Sequence, residues 1–149
     1  LINSVLTFWI APKLGKLITQ IGERRALTLE YSGLILIFLS YAFVENIGFA
    51  LLLYLLDHLL FALAIAIKTY FQKIAAPEDI AATSSISFTI NHIAAVILPA
   101  ILGVIWVFNS SAVFLIGAMI ALCSLGFSQL IPNEPKPSRA TKLAKPFPL

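Results

Sequence analysis

The second apolar span of this 149-residue chain, with its flanks, reads RRALTLEYSGLILIFLSYAFVEN at residues 24–46. Two arginines precede the apolar run and a glutamate and an asparagine follow it, so positive charge lies at one end only. A helix needs about 20 apolar residues to cross the hydrocarbon core of a bilayer, and residues 26–44 approach that length. The stretch is typical of a membrane-spanning helix whose cationic end faces the cytoplasm.

The same asymmetry of charge recurs along the whole chain. Positive residues occupy only connections that would share one side of a membrane, namely Lys13, Lys16, Arg24, Arg25, Lys68, Lys73, Lys136, Arg139, Lys142 and Lys145. The connections around Glu45 and around Asn109 carry no lysine or arginine. Because short cytoplasmic loops retain these residues, the pattern predicts a multi-pass protein of the plasma (inner) membrane with a cytoplasmic C-terminus.

The composition also indicates a membrane protein. The chain is 60% hydrophobic and 11% charged, whereas soluble domains carry about 25% charged residues. Its formal net charge of +3 comes from cations at span ends and in the C-terminal segment. We therefore expect an anionic inner leaflet of the lipid bilayer as a partner, and no nucleic acid.

The alternation of apolar spans with short connections predicts an all-α fold, a polytopic bundle of transmembrane helices within residues 1–131. Helices suit lipid because they pair every backbone polar group within one segment. The spans cover approximately residues 1–18, 26–44, 47–67, 78–108 and 112–131, the first being the end of a truncated helix. Residues 132–149 are rich in proline and lysine and are predicted to form a disordered basic cytoplasmic tail.

Polar side chains interrupt two of the spans near their middle. Asp57 and His58 lie in the third span, and Ser87, Asn91 and His92 lie in the fourth. At 1.5 Å per residue, Asp57 lies about 16 Å from Lys68 along its helix, and Asn91 is at a similar depth. Polar groups at this depth usually face a cavity or a partner, so we hypothesise a substrate or proton site between these spans.

The polar residues of the fourth span form two stripes at helical spacing. One stripe consists of Ser84, Ser87 and Asn91, and the other of Ser85, Thr89 and His92. Histidine exchanges a proton near neutral pH, which suggests proton coupling. The alternative is that these groups only join neighbouring helices, at about 0.6 kcal/mol each. Glu30, near the inner end of the second span, is expected to be a solvated interface charge, with Arg24 or Arg25 as alternative partners.

The first cytoplasmic loop reads GKLITQIGERRAL at residues 15–27. It resembles the signature loop of the major facilitator superfamily, G-x-L-x-D-R-x-G-R-[RK]-x-x-L. The matching positions are Gly15, Leu17, Gly22, Arg24 and Leu27, whereas Thr19, Gln20 and Glu23 replace an aspartate and two arginines. The resemblance implies that the spans are helices eight (in part) to twelve of such a transporter, and that the missing N-terminal half is a partner.

The resemblance further implies a secondary active transporter that moves a small-molecule solute by alternating access, with no enzymatic activity and no cofactor. Two other functions remain open at this point. One is an integral membrane subunit or scaffold without a transport cycle. The other is an intramembrane enzyme using Asp57 with His92, although the sequence contains no nucleotide-binding, nucleophile or metal motif.

Overall fold

A computed structural model of the chain describes residues 13–132. Within that range every regular element is a helix, which confirms the predicted all-α fold. Residues 13–21 form α1, and the other helices are α2 (Glu23–Phe43), α3 (Ile47–Phe61), α4 (Ile65–Ile74), α5 (Pro77–Phe108) and α6 (Ser110–Ser128). The predictions for residues 1–12 and for the basic tail at 133–149 lie outside the described residues.

Four helical segments of the described chain are long and apolar enough to cross a membrane. They are α2, α5, α6 and the continuous segment Ile47–Ile74, which contains α3 and α4. A 3₁₀ turn at Ala62–Ala64 joins α3 to α4 within this third segment. The four segments correspond in order to the second to fifth predicted spans, as expected for a multi-pass membrane protein.

Polar residues mark the starts of the helices. The Asn46 side chain accepts a hydrogen bond from the Phe49 amide at 3.1 Å, and Asn109 caps α6 through the Ala112 amide at 3.0 Å. Pro77 begins α5 and is followed by Glu78 and Asp79, which suit the positive end of the helix dipole. The two asparagine side chains bond to amides that have no partner within their own helix.

The helices extend beyond the apolar spans at the end that carries the cations. We call this end, formed by the starts of α2 and α5 and the ends of α4 and α6, the cationic end. The third span was predicted to end at residue 67, whereas α4 continues to Ile74. Lysine is a good helix former, so Lys68 and Lys73 prolong the helix past the apolar run instead of forming a loop.

The packing of the bundle is centred on α2, which contacts α6, α3 and α4. Small residues permit close approach: a side chain on Gly33 would collide with Leu60, and one on Gly117 would lie 3.3 Å from the Phe38 ring. Near the cationic end a buried cluster joins α1, α2 and α4, and it consists of Ile18, Ala26, Leu27, Leu63 and Ala66. Small residues at such contacts are typical of membrane helix packing.

Helix α5 lies at the edge of the bundle. It contains no buried residue, and it packs against α6 through a contact between Trp106 and Phe114, whose ring centroids are 5.5 Å apart. Phe114 also stacks on Tyr41 of α2 at 4.9 Å. The aromatic residues therefore join α2, α6 and α5 at the end opposite the cationic end.

Candidate functional site

The polar stripe of α5 is exposed along its length. Ser84, Ser87 and Asn91 are all exposed, and their spacing places them on one face of the helix. Their side chains make no hydrogen bond within the described residues. This face of α5 therefore offers two hydroxyls and one amide with their full hydrogen-bonding capacity.

Six hydroxyls on the other helices behave differently, because each of them bonds to a carbonyl of its own preceding turn. These are Thr28, Ser32 and Ser40 on α2, Thr69 on α4, and Ser124 and Ser128 on α6. On α5 itself the Thr89 hydroxyl donates to the Ser85 carbonyl at 3.0 Å, whereas the Ser85 hydroxyl forms no hydrogen bond among the described residues. Back-bonding of this kind satisfies a hydroxyl without any partner helix. The stripe of Ser84, Ser87 and Asn91 contains no such bond within residues 13–132.

His92 has a defined hydrogen-bonding role. Its Nδ1 atom lies 3.0 Å from the Phe88 carbonyl oxygen, and the two rings are in contact with centroids 3.9 Å apart. A carbonyl oxygen can only accept, so Nδ1 carries the hydrogen and donates it. The Nε2 atom of the neutral ring is then an acceptor that can bind a proton or a hydroxyl from the surroundings.

Asp57 and His58 lie on α3, on different sides of the helix. Asp57 is half-buried, whereas His58 is exposed and its ring contacts that of Tyr54 at a centroid distance of 4.5 Å. Neither the Asp57 carboxylate nor the His58 ring forms a hydrogen bond or an ion pair within residues 13–132. No group of three metal-ligating side chains occurs among the described residues either.

The structure does not bring the two pairs of predicted site residues together. Helix α3 packs against α2, α2 packs against α6, and α6 packs against α5, whereas α3 and α5 share no extensive interface. Asp57 and His58 therefore lie on a helix that has no extensive interface with the helix carrying Asn91 and His92. The spacing of these residues along their spans predicted a common depth in the membrane, but it could not predict their positions around the bundle axis.

The loop that carries the signature resemblance forms a tight turn. Gly22 has φ 86° and ψ 155°, a conformation that is essentially restricted to glycine. Its amide bonds to the Ile18 carbonyl at 2.9 Å, and its carbonyl accepts from the Ala26 amide at 3.1 Å, so α1 passes directly into α2. Gly15 lies in open space and Leu17 is half-buried, whereas Leu27 is buried in the cluster between the helices.

Arg24 joins the start of α2 to the end of α6. Its guanidinium donates from Nε at 3.3 Å and from one terminal nitrogen at 3.2 Å to the Gln129 side-chain oxygen, just after α6. The Gln129 amide nitrogen in turn donates to the Thr28 hydroxyl at 2.9 Å. Glu23, which is buried, forms an ion pair with Lys73 at the end of α4. At the cationic end, side chains of α2, α4 and the residue that follows α6 therefore join the three helices.

The prediction for Glu30 is wrong. The residue is not solvated, because its side chain is 2% exposed. It pairs with neither arginine, since Arg24 bonds Gln129 and Arg25 is exposed without an ion pair to Glu30. The helical spacing was the signal that could have located it: Glu30 follows Ala26 by four residues and Leu27 by three, which puts it on the buried face of α2.

Comparison with known proteins gives no identification: no family model, no curated protein and no solved structure matches this chain.

Proposed function

We propose that this chain is the C-terminal part of a secondary transporter of the major facilitator type. In this proposal the face of α5 that carries Ser84, Ser87 and Asn91, with His92 beside it, lines the path of a small polar solute. Transport would proceed by alternating access between two helix bundles, and this chain supplies part of one bundle. The motif residues that support the assignment are Gly22, in its glycine-restricted turn, and Arg24 and Leu27, which join helices at the cationic end.

The observation that carries the proposal is the unsatisfied polar face of α5. An unbonded polar group in hydrocarbon costs roughly 2–7 kcal/mol, so an amide and two hydroxyls would not remain exposed to lipid tails. Their surroundings in a membrane must therefore be polar, either water in a cavity or a partner with matching groups. Polar groups within membrane helices commonly mark the pathways of substrates and ions.

The individual residues have distinct roles in this proposal. The Asn91 amide can donate and accept, and the hydroxyls of Ser84 and Ser87 can do the same, so together they bind a hydroxyl-bearing or amide-bearing solute. His92 accepts through Nε2 and can carry a coupled proton. Asp57 and His58, on α3, remain predicted proton-site residues that would act away from this face.

The orientation in the membrane follows from charge. We place the cationic end in the cytoplasm, where Arg25 and Lys68 are exposed and can meet an anionic leaflet. In this proposal the N-terminal half of the transporter would cover the open face of α5, because α5 has no buried residue and its polar stripe is exposed. A membrane subunit without transport would instead bury the same stripe against a partner that excludes water.

Cysteine accessibility distinguishes these functions. Cys123 is exposed and would first be replaced by serine. Single cysteines would then be placed at Ser87 and Asn91, with Ile86 and Ile93 on the opposite face as controls matched in depth. We expect a membrane-impermeant maleimide to label S87C and N91C in membranes and to leave I86C and I93C unlabelled, because only the polar face meets water.

The full-length protein in native membranes is the sample for this measurement. Equal protection of all four positions from the maleimide would contradict a solute pathway along α5 and would favour the non-transporting subunit. Equal labelling of all four would contradict the assignment of α5 as a membrane-spanning helix.

A further inference from the structure

Glu30 is a buried carboxyl group that the proposed transport path does not use. Its side chain is 2% exposed, and its Oε2 atom has no hydrogen-bond partner within residues 13–132. An isolated carboxylate is among the most expensive groups to remove from water, so a buried one is normally paired or neutralised. The structure therefore raises the question of what compensates this charge.

The position of Glu30 on α2 defines its surroundings. Ala26 lies one turn before it and Gly33 one turn after it on the same face, and Gly33 lies against Leu60. Ala26 packs in the buried cluster with Leu63, which lies within the 3₁₀ turn that joins α3 to α4, and with Ala66, which lies just after it. Glu30 is thus on the face of α2 that meets this turn, and the neighbouring positions are apolar.

Charged and titratable side chains on the packed elements do not neutralise Glu30. Lys73 is paired with Glu23. In the described part of the chain no lysine or arginine forms an ion pair with Glu30. The remaining titratable groups on helices α1, α2, α3, α4 and α6 are Lys13, Lys16, Arg24, Arg25, Tyr31, Tyr41, Tyr54, Asp57, His58, Lys68, Tyr70 and Cys123. None of them forms a hydrogen bond with the Glu30 carboxyl group.

We propose that Glu30 is a proton-binding site, occupied by a proton while α2 is packed against the 3₁₀ turn. A proton is the ligand that fits, because a metal ion such as Ca²⁺ takes about 6–8 oxygen ligands and this part of the interface offers one carboxyl group among apolar side chains. The proton leaves the carboxyl when the contact between α2 and the turn opens to water. A 3₁₀ stretch within a helix often marks a hinge, which gives this opening a structural basis.

The site stands independently of the proposed solute path, since Glu30 and the α5 stripe lie on different helices. It also extends the idea of proton coupling to a residue that no motif contains. If the packed state holds the proton, deprotonation at higher pH loosens the contact between α2 and the 3₁₀ turn, and protonation at lower pH restores it.

Infrared spectroscopy of the chain in lipid vesicles tests the proposal directly. Protonated carboxylic acids have a carbonyl-stretch band that carboxylates lack. We expect such a band at neutral pH in the unmodified protein and its loss in E30Q, whose amide is neutral and similar in size. The matched variants D57N, at a half-buried position, and E45Q, at an exposed one, show whether the lost band belongs to Glu30.

A second measurement needs no variant. A carbodiimide that modifies protonated carboxyls in apolar surroundings should label the peptide containing Glu30, and labelling should fall as the pH is raised. An unchanged infrared band in E30Q would overturn the proposal, and so would a Glu30 peptide that stays unlabelled at every pH. Either result would mean that Glu30 is ionised and paired with a cation from outside residues 13–132. Transport activity is not read in either experiment, so their failure is separable from failure of the proposed function.

Discussion

Helices α2 and α5 are both long enough to cross a membrane, but they differ in how their polar groups are satisfied. In the most apolar 18-residue window of each helix, 28% of α2 residues are buried and 0% of α5 residues. The serine and threonine hydroxyls of α2 bond to carbonyls of its own backbone, whereas the side chains of Ser84, Ser87 and Asn91 on α5 form no hydrogen bond within residues 13–132. On α2 the unpartnered polar atom is instead a buried one, Oε2 of Glu30.

This difference distinguishes polar groups that are satisfied within their own helix from polar groups that need a partner. Asp57 and Asn91 look equivalent in sequence, since each lies in mid-span. In the structure Asp57 is half-buried on a helix packed against the centre of the bundle, and Asn91 is exposed on the edge helix. Neither side chain forms a hydrogen bond within residues 13–132, but only Asn91 is exposed, so its amide is the group that surrounding molecules can reach.

Overpacking gives the largest expected contrast between the two helices. In Gly33→Leu the new side chain would collide with Leu60, and we expect a loss of about 1–3 kcal/mol in the free energy of unfolding. In Gly103→Leu, on α5, the new side chain meets open space and should not lower stability, because leucine is a better helix former than glycine. Thermal unfolding in detergent, followed by helical circular dichroism, measures both variants. Equal losses would show that α5 is packed as tightly as α2.

A smaller effect is expected at the turn before α2. Gly22→Ala places a side chain on a residue with φ 86°, and such strain costs about 1–3 kcal/mol, of which relaxation of the short loop should recover part. Gly103→Ala is the control, because replacing a helical glycine with alanine raises the free energy of unfolding by about 0.5–1 kcal/mol. The same unfolding measurement applies. A stable Gly22→Ala variant would indicate that the helical residues 13–21 are not fixed against α2 by this turn.

The smallest contrast concerns single hydroxyls. Ser128 is buried, donates to the Leu125 carbonyl at 2.7 Å and accepts from Gln129 at 3.2 Å, so Ser128→Ala should cost about 1 kcal/mol. Ser87→Ala removes no internal bond and should change stability by less than about 0.5 kcal/mol. Chemical denaturation in mixed micelles can resolve the two. Destabilisation by Ser87→Ala equal to that by Ser128→Ala would mean that α5 is packed against a partner in the sample.

Much of the fold was predictable from the sequence, because the length of an apolar run and the residues at its ends are local properties. The span predicted at residues 78–108 corresponds closely to α5, which begins at Pro77. The burial of Glu30 and the bond between Arg24 and Gln129 were not predicted. Both depend on which helices become neighbours, and residues 24 and 129 are 105 positions apart.

The sequence by itself indicated the second to fifth spans, the end of the bundle that carries the cations and the depth of the polar residues in the third and fourth spans, because lipid imposes a length and a charge rule on each segment separately. Tertiary structure alone decided that α2 is central and α5 peripheral, and that the helices carrying Asp57 and Asn91 share no extensive interface. Helix packing in lipid depends on the fit of small and large side chains between segments, as at Gly33 with Leu60. That fit is a property of pairs of helices, so no single span reveals it.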